Sequence, residues 1–530
     1  MKKISALIKY EVIDIFRGKL IWIIFFLYLF GVIQVISSMK MGGYSFFTLV
    51  GLIKVSWLPL NFIMIPVMLL SMKIGESENE IFEILDISPM EFIISKIGAV
   101  SIINLVILSI NILLALIFGI FCRVSLGYLF YEMTGYIINT VIFLVAACSV
   151  GLSLGAVSKR FGEVIGFILI IIFFMVTCNF YKTSNNIVPL INIRIFPGSF
   201  DVISYDKSYL YHNIFWLILS LSFLLITYIY ENFKKERVIT KVFSAGSLIF
   251  LFTVCICLLN GINTNKPDYY NITNRNDSKN YSNDENKAPT FFSKENCGYY
   301  IDKYSMDIII NQTLINNCEM DIKVNKKISS MEFGLYEKLN ISKVEVDGNA
   351  VNYKRTDNSF IVSLPKEYNS EENIKLKVSC EGKINTCWGQ GQQMFFLRNN
   401  GLFLGDVFEW YPKLNDENIK EYNLNIKYSS GHKLYSNLNG ENISGQYKFT
   451  GKDREIFLIS GNISERNYRN YLFIGNEEYV NSNSKCDDLI KFMEDKKLED
   501  IKPAVFGPFL PGGGKMDMPY VKACFFADDV

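Results

Sequence analysis

Hydrophobic positions are distributed unequally along the 530 residues of this chain. Before residue 265 they form long uncharged stretches, and after it they alternate with polar residues over short segments. Seven stretches are close to the roughly 20 apolar residues that a helix needs to cross a bilayer. They are 20–39, 55–72, 97–122, 133–158, 164–181, 208–230 and 242–265. A soluble core would not hold so many, so the pattern predicts a membrane α-helical bundle of about seven transmembrane helices over 20–265.

An amphipathic segment precedes the first stretch. Its apolar residues fall on one helical stripe, and charged residues surround them. The stripe consists of Ile4, Leu7, Ile8, Val12, Ile15 and Phe16. The pattern predicts a cytoplasmic amphipathic helix over 1–19 that lies in the membrane interface.

The lysines and arginines between the stretches indicate the orientation, because cytoplasmic loops carry an excess of them. With the N-terminus inside, thirteen lie on the cytoplasmic side and six on the other. The chain is therefore predicted to be a multi-pass protein of the cell membrane with a cytoplasmic N-terminus. Seven spans are an odd number, so everything after Asn265 is predicted to be extracellular.

The second half has a different periodicity. Residues 266–290 are rich in Asn, Asp, Ser and Lys, which predicts a disordered linker. Strand alternation then begins, as in Val344 and Val346, or Ile374, Leu376 and Val378. Further strands are predicted around Phe360, Val362 and Leu364, around Tyr422, Leu424, Ile426 and Tyr428, and around Tyr447 and Phe449. Asp347-Gly348 indicates a tight turn, and one helix is predicted from Ser484, with Leu489, Ile490 and Met493 on one face. Residues 291–530 are therefore predicted to form a soluble, mainly β domain.

Charge and motifs exclude several functions. Residues 1–265 contain 19 basic and 14 acidic side chains and the rest 34 and 38, so no basic patch indicates nucleic acid. Gly512-Gly513-Gly514-Lys515 lacks the upstream glycine of a phosphate loop and is followed by Met516. No acidic or basic residue interrupts the seven stretches, which disfavours a proton-driven carrier. We therefore expect no cofactor in this chain.

The segment 73–96, KIGESENEIFEILDISPMEFIISK, is the most distinctive cytoplasmic connection. It holds six acidic residues against two lysines, with a short apolar stripe before Pro89. A proline disfavours helix in the residue before it, so a short helix is predicted to end at Ser88. The segment is either an acidic solvated loop or a short helix that docks on a cytoplasmic partner.

Residues 1–240 resemble the membrane subunits of type-2 ABC exporters. In that family the first cytoplasmic loop has acidic residues, a Leu-rich helical turn, a Pro and a Lys that opens the next span. Glu83, Leu85, Pro89 and Lys96 occupy matching places, although the family's Gly-Thr pair is absent. The resemblance implies a coupling helix that contacts a separate ATPase subunit, which uses the ATP. It also implies a second permease subunit, identical or different, within the lipid bilayer.

The β half resembles the N-terminal β-domain of aminopeptidase-N-like zinc metallopeptidases. The runs SKVEVDGNAVNY, SFIVSLP and IKLKVSCEGK carry this resemblance, with Trp410-Tyr411-Pro412 where that domain would meet the catalytic one. Active members have a G-x-M-E-N strand followed by an H-E-x-x-H zinc helix. Gly514, Met516 and Asp517 fall where the first motif would begin, but the two histidines, His212 and His432, form no such helix. The chain is therefore expected to bind no zinc and to be no enzyme.

Three functions stay open at this point. The first is an exporter permease with an extracellular β domain, the second is a membrane-anchored binding or sensing protein, and the third is a truncated zinc aminopeptidase.

Six cysteines of the β half permit disulfides, with Cys380 and Cys387 as the first guess. The transported substrate is not indicated by any polar constellation in the spans.

Overall fold

The structure, a computed structural model, describes nine segments of the helical half and most of the β half. These residues are 2–19, 21–22, 25–26, 67–68, 70–74, 89–121, 126–158, 207–232, 238–265, 268–270 and 297–527, the last without 357, 389–392, 399–400, 406–407, 415, 417, 476, 496–503, 506–513 and 518–523. The chain divides into two compact units between Lys266 and Pro267. The helical unit and the mainly β unit confirm the predicted fold class at this level.

The first unit is built of long helices. Their bounds are α1 Lys2–Arg17, α2 Pro89–Phe121, α3 Leu126–Ser158, α4 Lys207–Asn232 and α5 Val238–Asn265. Among the described residues, three helices are long and apolar enough to cross a membrane, over Ile93–Ile110, Leu210–Tyr230 and Lys241–Ile262. The apolar part of α3, Leu144–Val157, is shorter. The stretches 20–39, 55–72 and 164–181 lie mostly or wholly outside the described residues, so the number seven stays a prediction.

Apolar side chains from four segments form one core in the helical unit. It contains Ile15, Ile21, Val67, Leu70, Ile74, Ala99, Val100, Ile103, Leu144, Ala147, Cys148 and Leu152. Gly151 of α3 permits a close approach there, since a Cβ would collide with the Met68 carbonyl. Across the same core the Asn104 amide donates to Cys148 Sγ at 2.9 Å. A polar contact of this kind holds two helices together where no water competes.

Helix α1 packs on α2 through its predicted apolar stripe. Leu7 and Ile15 are buried, and Ile8 lies against Gly98 of α2, where even a Cβ would meet it. The stripe is therefore partly covered by protein, and its location in the membrane interface stays a prediction. Burying the stripe on α2 removes the same apolar area from water without requiring lipid.

The second unit contains one large sheet of eight strands. In order across the sheet they are β15 Asn439–Ile443, β16 Gln446–Asp453, β13 Lys420–Tyr428, β2 Tyr299–Ile310, β3 Leu314–Val324, β9 Asn373–Gly382, β5 Leu339–Val346 and β6 Asn349–Ala350. Neighbours are antiparallel except β13 and β2. Alternate residues of β9 are buried, among them Ile374, Leu376 and Val378, which confirms the alternation.

Three smaller sheets complete the unit. The first has β4 Ile328–Gly334, β8 Ser359–Tyr368 and β7 Tyr353–Arg355. The second has β1 Asp268–Tyr270, β10 Asn385–Trp388, β11 Gln393–Arg398, β12 Gly401–Leu404, β17 Leu458–Ser460 and β14 Leu434–Ser436. The third has β18 Ser464–Tyr468, β19 Tyr471–Gly475, β20 Ala504–Val505, β22 Cys524–Ala527 and β21 Gly514–Asp517. Two helices, α6 Glu477–Val480 and α7 Asn483–Asp495, accompany the third sheet.

The predicted turn and helix are both present. Asp347 and Gly348 have φ of 50° and 84°, which a two-residue hairpin between β5 and β6 requires. Helix α7 buries Leu489, Ile490 and Met493 against Phe473 of β19. One core joins the first two small sheets to the large one, because residues such as Phe333 and Phe395 pack with Leu376.

Two predictions for the β half are wrong in detail. Asp268–Tyr270 lies in the segment predicted to be a disordered linker, yet it forms strand β1 and pairs in parallel with β10. Cys380 carries a free thiol, so the guessed disulfide with Cys387 is not formed. Cys380 is a buried residue of β9, and its burial raises the pKa of its thiol to about 12. A buried neutral thiol behaves as a small apolar side chain.

Gly382 supports a prediction about the large sheet. It pairs with Leu314 on one side and Leu339 on the other, and a Cβ there would overlap the Lys338 carbonyl oxygen. We expect Gly382→Ala to destabilise the β unit by about 1 to 3 kcal/mol, because backbone must shift to relieve the overlap. The midpoint of thermal unfolding of the full chain in detergent measures this. Gly431→Ala, where a Cβ meets nothing within 4 Å, is the matched control; equal midpoints for the two variants would contradict the assignment.

Candidate functional site

The four predicted coupling residues fall in two groups. Glu83 and Leu85 lie outside the described residues. Pro89 is the first residue of α2, a position where a proline's missing N–H leaves no helical bond unmade. Lys96 lies two helical turns further on and is only 3% exposed. A new helix begins at Pro89. The short helix that is predicted to end at Ser88 lies outside the described residues.

Lys96 joins the two ends of the acidic segment. Its ammonium donates a hydrogen bond to the carbonyl oxygen of Ile74, the last described residue before the segment. A carbonyl oxygen has two lone pairs and can accept this bond from the ammonium. The bond therefore connects α2 directly to the last described residue before the segment.

Glu11 of α1 belongs to the same place. It is 6% exposed, and burial raises the pKa of its carboxyl, while the positive charge of Lys96 opposes part of that shift. A buried lysine and a buried carboxylate of opposite charge compensate part of each other's lost hydration. We name Glu11, Ile74 and Lys96 the loop anchor. It connects α1, the described residues 70–74 and the first turns of α2.

Chemically, the loop anchor can hold and transmit, but it does not react. It has no nucleophile and no metal ligand set, and apolar residues of the core surround it. Such an arrangement can hold the three segments together, because packed cores move as units and do not deform continuously.

Sequence reasoning did not identify Glu11 as a site residue. A signal was present, because Glu11 stands four residues from both Leu7 and Ile15 on the apolar stripe. A charged residue at a stripe position predicts a buried partner. Lys96 lies near the start of the apolar window Ile93–Ile110 and one residue before the predicted stretch 97–122, so the absence of charged residues within that stretch stays a prediction about the membrane.

The residues of the degenerate peptidase motif lie together on one short strand. Gly514, Met516 and Asp517 belong to β21, which pairs with β22 at one end of the five-stranded sheet. The two histidines are in different units: His212 accepts a hydrogen bond from the Trp216 indole at 3.2 Å, and His432 is in the β unit. Among the described residues no group of three His, Cys, Asp or Glu side chains could hold a metal ion.

A buried ionic network occupies the centre of the β unit beside Trp410-Tyr411-Pro412. Glu455 is 4% exposed, and its carboxylate accepts a hydrogen bond from the Tyr411 hydroxyl at 2.6 Å. Lys413 Nζ lies 3.6 Å from Glu455 Oε2, and Lys420 Nζ lies 4.0 Å from Oε1. Lys420 also pairs with Asp416 at 2.6 Å. The Trp-Tyr-Pro segment is therefore core, and its charges are internally compensated.

Tyrosines enclose this network. Tyr304 and Tyr422 stack in parallel with ring centroids 5.1 Å apart, and Tyr411 meets Tyr304 edge-on at 5.4 Å. Burial raises the pKa of all three hydroxyls well above the usual value, so they remain donors. The Tyr304 and Tyr422 hydroxyls donate to the carbonyls of Pro412 and Arg454 at 3.1 and 3.0 Å. Only Asp416 is partly exposed, so the buried and mutually compensated network is a structural element of the core.

The described residues define a helical unit with membrane-length apolar helices, followed by a mainly β unit. No protein-family model and no curated protein matches the chain. Solved structures that are similar to part of it include the M1 zinc metallopeptidase from Deinococcus radiodurans, at 11% identity and a TM-score of 0.33, over 44% of this chain and 61% of that one. Yeast LTA4 hydrolase in complex with bestatin is 10% identical with a TM-score of 0.31, over 43% of this chain and 40% of that one.

The chain thus spans less than two thirds of the length of these zinc enzymes. A likeness at this level says nothing about the activity of the chain, which has to be argued from its own residues.

The buried network yields a prediction about stability. We expect Glu455→Gln to destabilise the β unit by about 3 to 5 kcal/mol, because Lys413 and Lys420 lose the negative charge that compensates them. Glu465→Gln is the matched control: its carboxylate pairs with Lys433 at the surface, and such pairs contribute at most about 1 kcal/mol. Denaturant unfolding followed by near-ultraviolet circular dichroism compares them. Similar losses in both variants would show that the network does not stabilise the unit.

The loop anchor yields a second prediction. Lys96→Met removes the bond to Ile74 and leaves Glu11 buried without its cation, so α1 should detach and the acidic segment should be cleaved faster by a Glu-specific protease. Glu11→Gln combined with Lys96→Met should restore part of the resistance, because an amide costs less to bury than a carboxylate. Lys73→Met, at an exposed lysine beside the same segment, is the control. Cleavage of Lys96→Met at the control rate would refute the anchor.

Proposed function

We propose that the chain is the membrane-spanning subunit of an ATP-binding-cassette exporter. A separate ATPase subunit binds the acidic segment between Ile74 and Pro89 and drives alternating access. A second permease subunit completes the pathway in the bilayer. The N-terminus is cytoplasmic, and the β unit lies outside the cell in a binding or structural role.

The loop anchor is the observation that carries this proposal. A coupling segment must pass motion from a soluble subunit to the spans, and for that its base has to be fixed to them. Lys96 fixes both ends of the segment, and Glu11 brings α1 into the same contact. An acidic loop with only a solvation role would need no such base.

The acidic composition and the membrane-length helices support the same proposal. Five carboxylates between Ile74 and Pro89, with Glu91 just beyond, suit a partner surface with basic side chains, which would steer association and set its register. The three apolar windows Ile93–Ile110, Leu210–Tyr230 and Lys241–Ile262 place at least part of the unit in lipid under this proposal.

The test is recovery of an ATPase subunit with the chain purified from membranes of its own cells. We expect Glu83→Lys with Pro89→Ala to lower this recovery about tenfold, which corresponds to about 1.4 kcal/mol of binding free energy. Membrane insertion should be unchanged. Glu236→Lys reverses a charge in another predicted cytoplasmic connection and should have no effect. Absence of any ATPase from the wild-type preparation, or equal recovery with the double variant, would overturn the proposal and favour an anchored binding protein.

A further inference from the structure

Helix α1 has a second face that the loop anchor does not use. Ala6, Tyr10, Ile13 and Arg17 are spaced by four, three and four residues, so they share one side of the helix. Tyr10 is 49% exposed and Ile13 is 41% exposed. This outward face lies away from Leu7, Glu11 and Ile15, which are buried against α2.

The exposed charge around the outward face is mainly positive. Lys3, Lys9, Arg17 and Lys19 are exposed, whereas Asp14 is the one exposed acid between residues 3 and 19. Glu11, which the sequence would count against them, is buried beside Lys96 and contributes little to the surface field. Because Glu11 is buried, the exposed surface of α1 carries a more positive net charge than the helix as a whole.

Two exposed aromatic residues follow the helix in sequence. Trp22 is 62% exposed, and its indole N–H donates to the Phe16 carbonyl at 3.2 Å, so the ring is held in place. Phe26 is also exposed. A narrow apolar stripe flanked by lysine and arginine, with an aromatic ring at its end, is the pattern of a helix that lies on an anionic bilayer surface.

We propose that the outward face of α1 binds acidic phospholipids of the membrane. Lys3, Lys9, Arg17 and Lys19 contact the phosphate groups, and Tyr10 and Ile13 insert at the boundary between headgroups and acyl chains. The lipid-binding face is thus opposite to the stripe that hydrophobic periodicity indicates. This inference rests on the membrane location in the proposed function but not on the ATPase.

A lipid surface explains the face better than a protein partner does. Only two large apolar residues of the helix are exposed on it, too few for the buried centre of a stable protein interface. The basic residues, by contrast, are spread along the whole helix, as contact with many equivalent headgroups requires.

The test titrates the delipidated full chain in neutral detergent with phosphatidylglycerol or phosphatidylcholine and counts bound lipids by native mass spectrometry. We expect preferential binding of phosphatidylglycerol and at least about a tenfold loss of that affinity in Lys9→Gln with Arg17→Gln. Tyr10→Ser with Ile13→Ser should weaken both lipids. Lys354→Gln with Lys377→Gln removes two exposed lysines of the β unit and is the charge-matched control.

Equal binding of the two lipids by the wild type would overturn the inference, as would unchanged phosphatidylglycerol binding by the Lys9 and Arg17 variant. Loss of ATPase recovery by that variant with lipid binding intact would likewise overturn it and assign the face to the protein partner. Lipid selectivity that depends on Lys9 and Arg17 supports the inference even in a preparation that contains no ATPase, so its failure and that of the exporter proposal are distinguishable.

Discussion

A charged side chain removed from water has to find a partner in the protein, and this requirement determines contacts in both units of the chain. In the helical unit Lys96 is buried, its ammonium donates to the Ile74 carbonyl, and Glu11 supplies a nearby opposite charge. In the β unit, Lys413 and Lys420 share Glu455. Apolar side chains tolerate small shifts of one segment against another. Buried charged groups do not, because their hydrogen bonds and ion pairs form only in a few geometries. They therefore specify which segments meet.

The segments that meet in this way are far apart in sequence. Tyr304 of β2 donates to Pro412, 108 residues later, and Tyr411 donates to Glu455, 44 residues later. In the helical unit the bond from Lys96 to Ile74 closes the whole acidic segment into a loop with a fixed base. Closure of such loops is entropically unfavourable, so the strong charge-assisted contacts at their ends help to hold them.

The two units use these charges differently. The β network is packed against Tyr304, Tyr411 and Tyr422 and is buried apart from the partly exposed Asp416, which makes it part of the core. The loop anchor connects α2 to the chain before the acidic segment and includes a residue of α1, whose other face is exposed and mainly basic. The proposed coupling role rests on the anchor and not on the β network.

Much of the architecture follows from the sequence alone. Long uncharged stretches determine α2, α4 and α5, because backbone in lipid must satisfy its own hydrogen bonds. Period-two alternation determines strands such as β9 and β13, and Asp347-Gly348 determines a hairpin. Even Lys420 could have been placed inward by extending the alternation of Tyr422, Leu424 and Ile426 backwards along β13. Residues without regular periodicity, such as Asp268–Tyr270, were missed because three residues carry no period.

Only the tertiary structure decided which faces and charges are covered. Periodicity identifies an apolar stripe on α1 but not whether lipid or α2 covers it, since both remove it from water equally well. In the structure α2 covers part of the stripe at Gly98, Glu11 is buried, and the exposed charge of α1 is mainly positive. Partners such as Lys96 and Ile74, or Lys413 and Glu455, are brought together by the path of the backbone, on which local pattern has no bearing.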